Sequence, residues 1–135
     1  MKNSFLMILL GFILLPSCKS QTEESSSISE TIVAQNAIHL VDVATFKTAI
    51  TAENVQLIDV RTPEEYAEGH IENAKLINFM ADDFSTAILK ANKDQPVYIY
   101  CRSGTRSGKA AKRMKELGFK SIYDLDGGFK AWEAN

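Results

Sequence analysis

The sequence has very few residues of the kinds that bind metals or cross-link chains. It contains two cysteines and two histidines among 135 residues. Cys18 follows an apolar N-terminal run, whereas Cys101 lies deep in the second half, so no structural disulfide is expected between them. Because no cluster of cysteine and histidine ligands is present, the sequence predicts neither a metal site nor another cofactor.

The chain also lacks an apolar run long enough to span a bilayer, and it lacks a strong charge of one sign. Its N-terminal apolar run covers residues 5–15, which is about half of the ~20 residues that a transmembrane helix needs. Once residues 1–17 are set aside, 14 basic residues stand against 17 acidic ones. This weakly acidic balance argues against a general nucleic-acid binder.

The first 17 residues have the features of an export signal. Lys2 precedes the apolar run, and Leu15-Pro16-Ser17-Cys18 follows it. This tetrapeptide resembles the lipobox of bacterial lipoproteins, although proline is unusual at its second position. The resemblance implies cleavage before Cys18 and acylation of Cys18, and hence an exported lipoprotein anchored to a membrane and facing the periplasm or the cell exterior. An ordinary secretory signal is the alternative.

The segment after the signal is predicted to be a tether. Residues 18–36 are poor in large apolar side chains and rich in serine and glutamate. A segment of this composition buries too little apolar surface to fold by itself. We therefore expect a disordered, lipid-anchored tether that gives the folded domain reach above the membrane.

From residue 37 onward, short strand-like runs alternate with helical patterns. Strands are predicted over residues 38–41, 55–60, 74–78, 96–101 and 121–125. The residues suited to begin or end the intervening helices are Asp42, Thr62 with Pro63, the pair Asp82-Asp83, and Gly118. This alternation predicts one α/β domain over residues 37–135, with helices flanking a mainly parallel central sheet.

Cys101 occupies the end of a predicted buried strand, just before a predicted helix. The turn between them reads Arg102-Ser103-Gly104-Thr105-Arg106. A glycine-containing turn at a helix N-terminus directs backbone N–H groups and the positive end of the helix dipole toward an anion. These groups favour a thiolate over a thiol, so the sequence predicts that Cys101 is a nucleophile.

The surroundings of Cys101 are basic. Six basic residues and no acidic residue fall between Arg102 and Lys115. The later ones have the spacing of a solvated helix face, whereas Arg102 and Arg106 lie in the turn, where a guanidinium can bind an oxyanion bidentately. A small anionic substrate is therefore expected.

Polar residues elsewhere have more than one interpretation. Asp59 and Arg61 follow a strand whose carboxyl end should open beside the turn, so either residue can line the pocket or brace it. His70 belongs to a separate turn, and we expect it to make a structural hydrogen bond. Phe129, Trp132 and Tyr123 are expected to be packing residues.

Four segments together resemble the rhodanese homology domain. They are Leu57-Ile-Asp-Val-Arg61, Glu65-Tyr-Ala-Glu-Gly-His-Ile71, Val97-Tyr-Ile-Tyr-Cys-Arg-Ser-Gly-Thr-Arg-Ser107, and Leu125-Asp-Gly-Gly128 with Trp132. The resemblance implies a rhodanese-like fold, with a five-stranded sheet and a six-residue loop from Cys101 to Arg106 whose cysteine cycles between thiol and persulfide. Glu72-Asn73 stands where members often have Pro-Gly, and asparagine suits the same left-handed turn.

The function implied is transfer of sulfane sulfur from thiosulfate or a persulfide to a thiol or cyanide. The catalytic residue would be Cys101, and the substrate-binding residues would be Arg102, Ser103, Gly104, Thr105, Arg106 and Arg61. Because no second cysteine lies near Cys101 in the sequence, the persulfide must be discharged to an outside molecule, such as glutathione or a thioredoxin-like protein.

Two other function classes stay open. One is a non-catalytic rhodanese-like module that binds proteins or senses sulfide. The other is a cysteine phosphatase or arsenate reductase, but those phosphatases place one residue more between cysteine and arginine. Here four residues separate Cys101 from Arg106, and the shorter loop is expected to accept a sulfur atom rather than a phosphate.

Overall fold

The computed structural model describes residues 37–135. The predicted signal peptide, the lipidation site Cys18 and the tether lie outside the described residues. Within residues 37–135, the helices are all too short or too polar to cross a membrane.

Strands and helices alternate throughout this part of the chain. The strands are β1 (Ala37–Val41), β2 (Gln56–Asp59), β3 (Lys75–Leu76), β4 (Val97–Tyr100) and β5 (Ser121–Leu125). The helices are α1 (Val43–Ala49), α2 (Pro63–Glu68), α3 (Phe84–Ile88), α4 (Thr105–Glu116) and α5 (Gly128–Ala134). The strands form one sheet in the order β1-β5-β4-β2-β3, and each neighbouring pair is parallel. The predicted α/β fold with a five-stranded parallel sheet is confirmed.

Most of the predicted helix boundaries are confirmed by local hydrogen bonds or dihedral angles. The Asp42 side chain accepts from the Thr45 N–H at 2.7 Å and caps α1. Thr62 caps α2, with Pro63 in the first turn. Gly118, which follows α4, has a φ of 94°. These signals are local, so they can be recognised without knowledge of the tertiary structure.

β1 begins one residue before its predicted start, three other strands are shorter than predicted, and one predicted cap differs in geometry. β2, β3 and β4 are each shorter than the apolar runs that predicted them, because apolar residues continue into the loops after sheet pairing has ended. Asp83 precedes α3, but its side chain makes no capping hydrogen bond. Its backbone is not extended, with φ −90° and ψ 7°, so it lacks the usual capping geometry.

The sheet separates two layers of core. One layer packs α3 and α4 against residues such as Ile99 and Ile122. The other contains Tyr100 and Leu125, together with Phe46 of α1 and aromatic residues of α5. Because side chains alternate along a strand, Cys101 points to the same side as Ile99 and belongs to the layer under α4.

Candidate active site

The parallel sheet places the ends of three strands at one edge. The segments that leave this edge are Asp59-Val60-Arg61 after β2, Cys101 after β4, and Asp126-Gly127 after β5. In an open α/β sheet, ligands bind outside the carboxyl ends of the strands. The candidate site is therefore built from these segments and from the helices that follow them.

Cys101 lies at the base of a tight loop that leads into α4. Its side chain is 1% exposed, and its Sγ accepts the backbone N–H of Gly104 at 3.1 Å. Gly104 is the N-cap residue of α4 and has a φ of 94°, a left-handed conformation that glycine adopts without steric cost. The sulfur is thus held at the start of a twelve-residue helix, where the helix dipole favours negative charge.

The first turn of α5 packs against this loop and donates hydrogen bonds to its backbone. The Phe129 N–H donates to the Cys101 carbonyl at 2.8 Å, and the Lys130 N–H donates to the Arg102 carbonyl at 3.0 Å. Gly128 allows this close approach, because a Cβ there would lie 2.5 Å from the Cys101 carbonyl oxygen and 2.8 Å from the Ser103 nitrogen. Sequence reasoning gave Gly128 no role at the site, although the paired glycines after β5 were a signal of close backbone contact.

Arg106 closes the loop by pairing with α2. Its Nη1 and Nη2 atoms each lie 2.6 Å from an oxygen of the Glu65 carboxylate. The hydrogen bond from Arg106 lowers the pKa of Glu65 to about 2, and the same contact raises the pKa of Arg106. Glu65 also accepts the Thr62 N–H, so the carboxylate that holds Arg106 is itself fixed by the capping box of α2.

Arg61 is buried, and its contacts hold neighbouring segments of the site together. It is 2% exposed, and its Nη2 lies 2.6 Å from Asp59 Oδ2 and 2.6 Å from the Gly69 carbonyl oxygen. Its guanidinium also lies 4.2 Å from the centre of the Phe129 ring. Burial lowers the pKa of Arg61, but the hydrogen bond and the charge of Asp59 outweigh it, and the net pKa is raised. This pair joins the end of β2 to the turn after α2.

The other loop residues face solvent. Arg102, Ser103 and Thr105 are exposed, and no side-chain hydrogen bond or ion pair of Arg102 occurs within residues 37–135. Among the residues that the structure describes, Arg102 is therefore the loop cation whose charge has no partner. No group of three or more histidine, cysteine or acidic side chains in this part of the chain is arranged to hold a metal ion.

His70, Phe129, Trp132 and Tyr123 make packing contacts. The Nδ1 atom of His70 lies 3.0 Å from the Tyr66 carbonyl oxygen, and its ring stacks on Tyr66 at 3.7 Å between centroids. Phe129 stacks on Tyr100, Trp132 meets Phe46 edge-on, and Tyr123 stacks on Tyr98. These contacts agree with the structural roles expected from the sequence.

Comparison with known proteins gives one consistent family. The family model described as "Rhodanese-like domain" matches residues 42–135. The "Thiosulfate sulfurtransferase GlpE" of Shewanella oneidensis is 39% identical over 85 residues, a match that covers 62% of this chain and 82% of that protein. The "Uncharacterized protein YqhL" of Bacillus subtilis is 43% identical over 77 residues, and this chain spans 60% of its length.

Solved structures agree with this relationship. The crystal structure of a rhodanese-like domain protein from Staphylococcus aureus is similar with a TM-score of 0.62 and 34% sequence identity. The similarity covers 70% of this chain and 90% of that chain. The described domain and that structure therefore share a fold over nearly the full length of the latter.

Proposed function

The chain belongs to the rhodanese-like domain family, and on this premise we propose that it is a sulfurtransferase that carries sulfane sulfur as a persulfide on Cys101. The main structural support for this proposal is the hydrogen bond that the Cys101 sulfur accepts from the Gly104 N–H at the start of α4. A relative named as a thiosulfate sulfurtransferase, 39% identical, supports the reaction class. The hydrogen bond and the helix dipole stabilise negative charge on sulfur, which both a thiolate and a persulfide require.

The loading step follows the chemistry of thiol–disulfide exchange. The Cys101 thiolate attacks the outer sulfur of thiosulfate, and a new S–S bond forms as the S–S bond of thiosulfate breaks. The electron pair of the broken bond leaves with sulfite, and the persulfide retains one negative charge. The three negative charges of the reactants are thus the three of the products, and the step needs no oxidant or reductant.

The donor is proposed to bind over the loop as an anion. Arg102 supplies a guanidinium that has no partner within residues 37–135, and Ser103, Gly104 and Thr105 line the loop beside it. The Arg106 charge is largely balanced by Glu65. We therefore assign Arg106 the role of stabilising the loop, with a weaker contribution to the electrostatic attraction of the donor. Arg61, which the sequence also suggested as a substrate ligand, is assigned to bracing this edge through Asp59.

The persulfide is proposed to be discharged to an external thiol or to cyanide. Cys101 is the free cysteine of the described domain, so no partner thiol lies within residues 37–135. The acceptor thiolate attacks the terminal sulfur, takes it as its own persulfide, and regenerates the Cys101 thiolate. Glutathione or the exposed cysteine of a thioredoxin-like protein has the required chemistry.

A substrate panel tests this function against phosphate chemistry. We expect the protein to release sulfite from thiosulfate and to pass the sulfur to a thiol, with no hydrolysis of aryl phosphates and no reduction of arsenate above background. The physical reason is loop size, because the Gly104 N–H already lies 3.1 Å from the sulfur and leaves little space for a tetrahedral oxyanion there. Phosphate hydrolysis that depends on Cys101 would replace the proposal, and a folded protein that takes sulfur from no donor would identify a non-catalytic module.

The location of the protein is a separate proposal that rests on the N-terminal sequence alone. We propose that it is an exported lipoprotein acylated at Cys18, because the apolar run is followed by Leu15-Pro16-Ser17-Cys18 and then by a polar segment. Membrane fractionation of the wild type and of Cys18→Ala tests this. The wild type is expected in the membrane fraction and Cys18→Ala outside it, whereas an equal soluble distribution of both would identify an ordinary secretory signal.

A further inference from the structure

A buried carboxyl group lies beneath the helix that follows the Cys101 loop. Asp124 of β5 is 3% exposed, and its Oδ1 atom has no hydrogen-bond partner within residues 37–135. Its neighbours in the sheet are Leu40 of β1 and Ile99 of β4, which offer no polar atom from their side chains. A buried polar atom without a partner destabilises a fold, so an aspartate at this position requires an explanation other than packing.

The groups that surround Asp124 are mostly uncharged. α4 covers it with Ser107 and Gly108, and a Cβ on Gly108 would lie 3.8 Å from Asp124 Oδ2. Asp126, in the turn after β5, is the charged group whose field acts on it. Burial raises the pKa of Asp124 to about 6, the Ser107 hydroxyl opposes this shift as a hydrogen-bond donor, and Asp126 adds to it.

Ser107 connects this carboxyl group to the Cys101 loop. Its hydroxyl carries one proton and lies close enough to the Asp124 carboxylate to lower the pKa of that group, and its hydrogen-bond acceptor in the structure is the Gly104 carbonyl. In the structure it donates to the Gly104 carbonyl at 3.2 Å, while the Gly104 N–H donates to Cys101 Sγ. Two hydrogen bonds therefore link Ser107 through Gly104 to Cys101, and the helix turn that holds Ser107 and Gly108 lies beside Asp124.

We propose that Asp124 is a positioning residue for Cys101 that acts through Ser107 and Gly104. When Asp124 is protonated, it can donate to Ser107, and Ser107 keeps its hydrogen bond to Gly104. When Asp124 is ionised, it becomes the stronger acceptor and draws the Ser107 proton away from Gly104. The Gly104 carbonyl then keeps only the Gly108 N–H, at 3.0 Å, so the first turn of α4 holds the loop less firmly and Cys101 becomes less reactive.

The test compares rates between about pH 5 and about pH 8 for the wild type and Asp124→Asn, which mimics the protonated carboxyl. Two rates are measured, sulfur loading from thiosulfate and alkylation of Cys101 by iodoacetamide. The proposal rests on the proposed sulfurtransferase function only for the first rate. Absence of sulfur loading in the wild type and in all variants would reject that function, while the alkylation rate of Cys101 would still test the positioning role. Asp82→Asn, which makes the same chemical change at an exposed carboxylate that does not act on Asp124, is the matched control.

We expect the ratio of the Asp124→Asn rate to the wild-type rate to change with pH. Asp124→Asn and the wild type should react equally at about pH 5, and Asp124→Asn should become about two- to tenfold faster above about pH 6.5, the range expected for one hydrogen bond. Asp82→Asn should keep a constant ratio. In a Ser107→Ala background, the added Asp124→Asn change should have no pH-dependent effect. A constant ratio for Asp124→Asn, or the same pH-dependent ratio with and without Ser107, would overturn the proposal.

Discussion

The guanidinium of Arg106 and the carboxylate of Glu65 form a two-pronged ion pair, with both N···O distances equal to 2.6 Å. The two residues are 41 positions apart, and their contact ties the Cys101 loop to the start of α2. The side chains are 24% and 18% exposed, so the pair is partly protected from solvent screening. This contact makes the stability of the loop dependent on the charge of Glu65.

Glu65→Gln is therefore expected to destabilise the domain by about 1 kcal/mol at neutral pH. Glutamine retains the capping box, so the change isolates the charge. Because pairing lowers the pKa of Glu65 from 4.5 to about 2, its stabilisation is present above pH 4.5 and is lost as the pH falls toward 2. Urea unfolding at several pH values measures this, with the exposed Glu68→Gln as control. An equal effect of the two variants at neutral pH would exclude the ion pair as a source of stability.

Gly128→Ala is expected to disrupt the packing of α5 against the Cys101 loop. The new methyl group would lie 2.5 Å from the Cys101 carbonyl oxygen, and the residue has a φ of +60°, so we expect a loss of about 2–4 kcal/mol in the free energy of unfolding and a large loss of Cys101 reactivity.

Gly108→Ala is the matched control for this change. It places a methyl group in ordinary contact at 3.8 Å, within a helix that alanine favours by about 1 kcal/mol. Thermal unfolding and the alkylation rate of Cys101 are compared for both variants. If Gly128→Ala resembles Gly108→Ala in both measurements, the close approach of α5 to the loop does not constrain the site.

We expect Arg102 to contribute to thiosulfate binding and Arg61 to contribute to the stability of the domain. Arg102→Ala should leave stability within about 0.5 kcal/mol of the wild type while weakening thiosulfate binding by about 1–3 kcal/mol. Arg61→Ala leaves Asp59 buried without its partner, so we expect a loss of stability of about 3–5 kcal/mol. Urea unfolding and the KM for thiosulfate separate the two roles, with the exposed Lys109→Ala as a control for general charge. Wild-type stability in Arg61→Ala would contradict the bracing role.

Asp124 is expected to make the domain less stable as the pH rises. Its pKa is raised from 3.8 to about 6, so the folded state binds its proton more tightly than the unfolded state. The associated stabilisation is complete below pH 3.8 and is lost as the pH rises through about 6, with a total of about 2–3 kcal/mol. Asp124→Asn should match the wild type near pH 4 and exceed its stability at pH 7.5 by about that amount. A difference that is constant with pH would show that Asp124 does not titrate in this range.

The parts of the fold that could be predicted depend on neighbours in the sequence. Asp42 and Thr62 cap their helices through bonds to residues three positions away, and Cys101 was recognised from the strand, turn and helix around it. Asn73 adopts the expected left-handed conformation with a φ of 65°. In each case, the relevant contact or dihedral angle is set within a few residues.

The parts that could not be predicted depend on distant contacts. No spacing rule pairs Glu65 with Arg106, and Thr62 was predicted only as a helix cap. The burial of Asp124 had a signal in the alternation with Ile122 along β5, which directs both side chains toward α4. The contact of α5 with the Cys101 carbonyl required the sheet order, because β4 and β5 are neighbours only in the folded structure.

The central claim is that Cys101 carries transferable sulfur, and intact-mass spectrometry after exposure to thiosulfate tests it most directly. The wild type is expected to gain the mass of one sulfur atom and to lose it again when a thiol acceptor is added. Cys101→Ser should keep its fold and gain nothing, because a serine hydroxyl is hardly ionised at neutral pH. A gain of sulfur by Cys101→Ser, or a folded wild type that gains no sulfur from thiosulfate, polysulfide or glutathione persulfide, would contradict the claim.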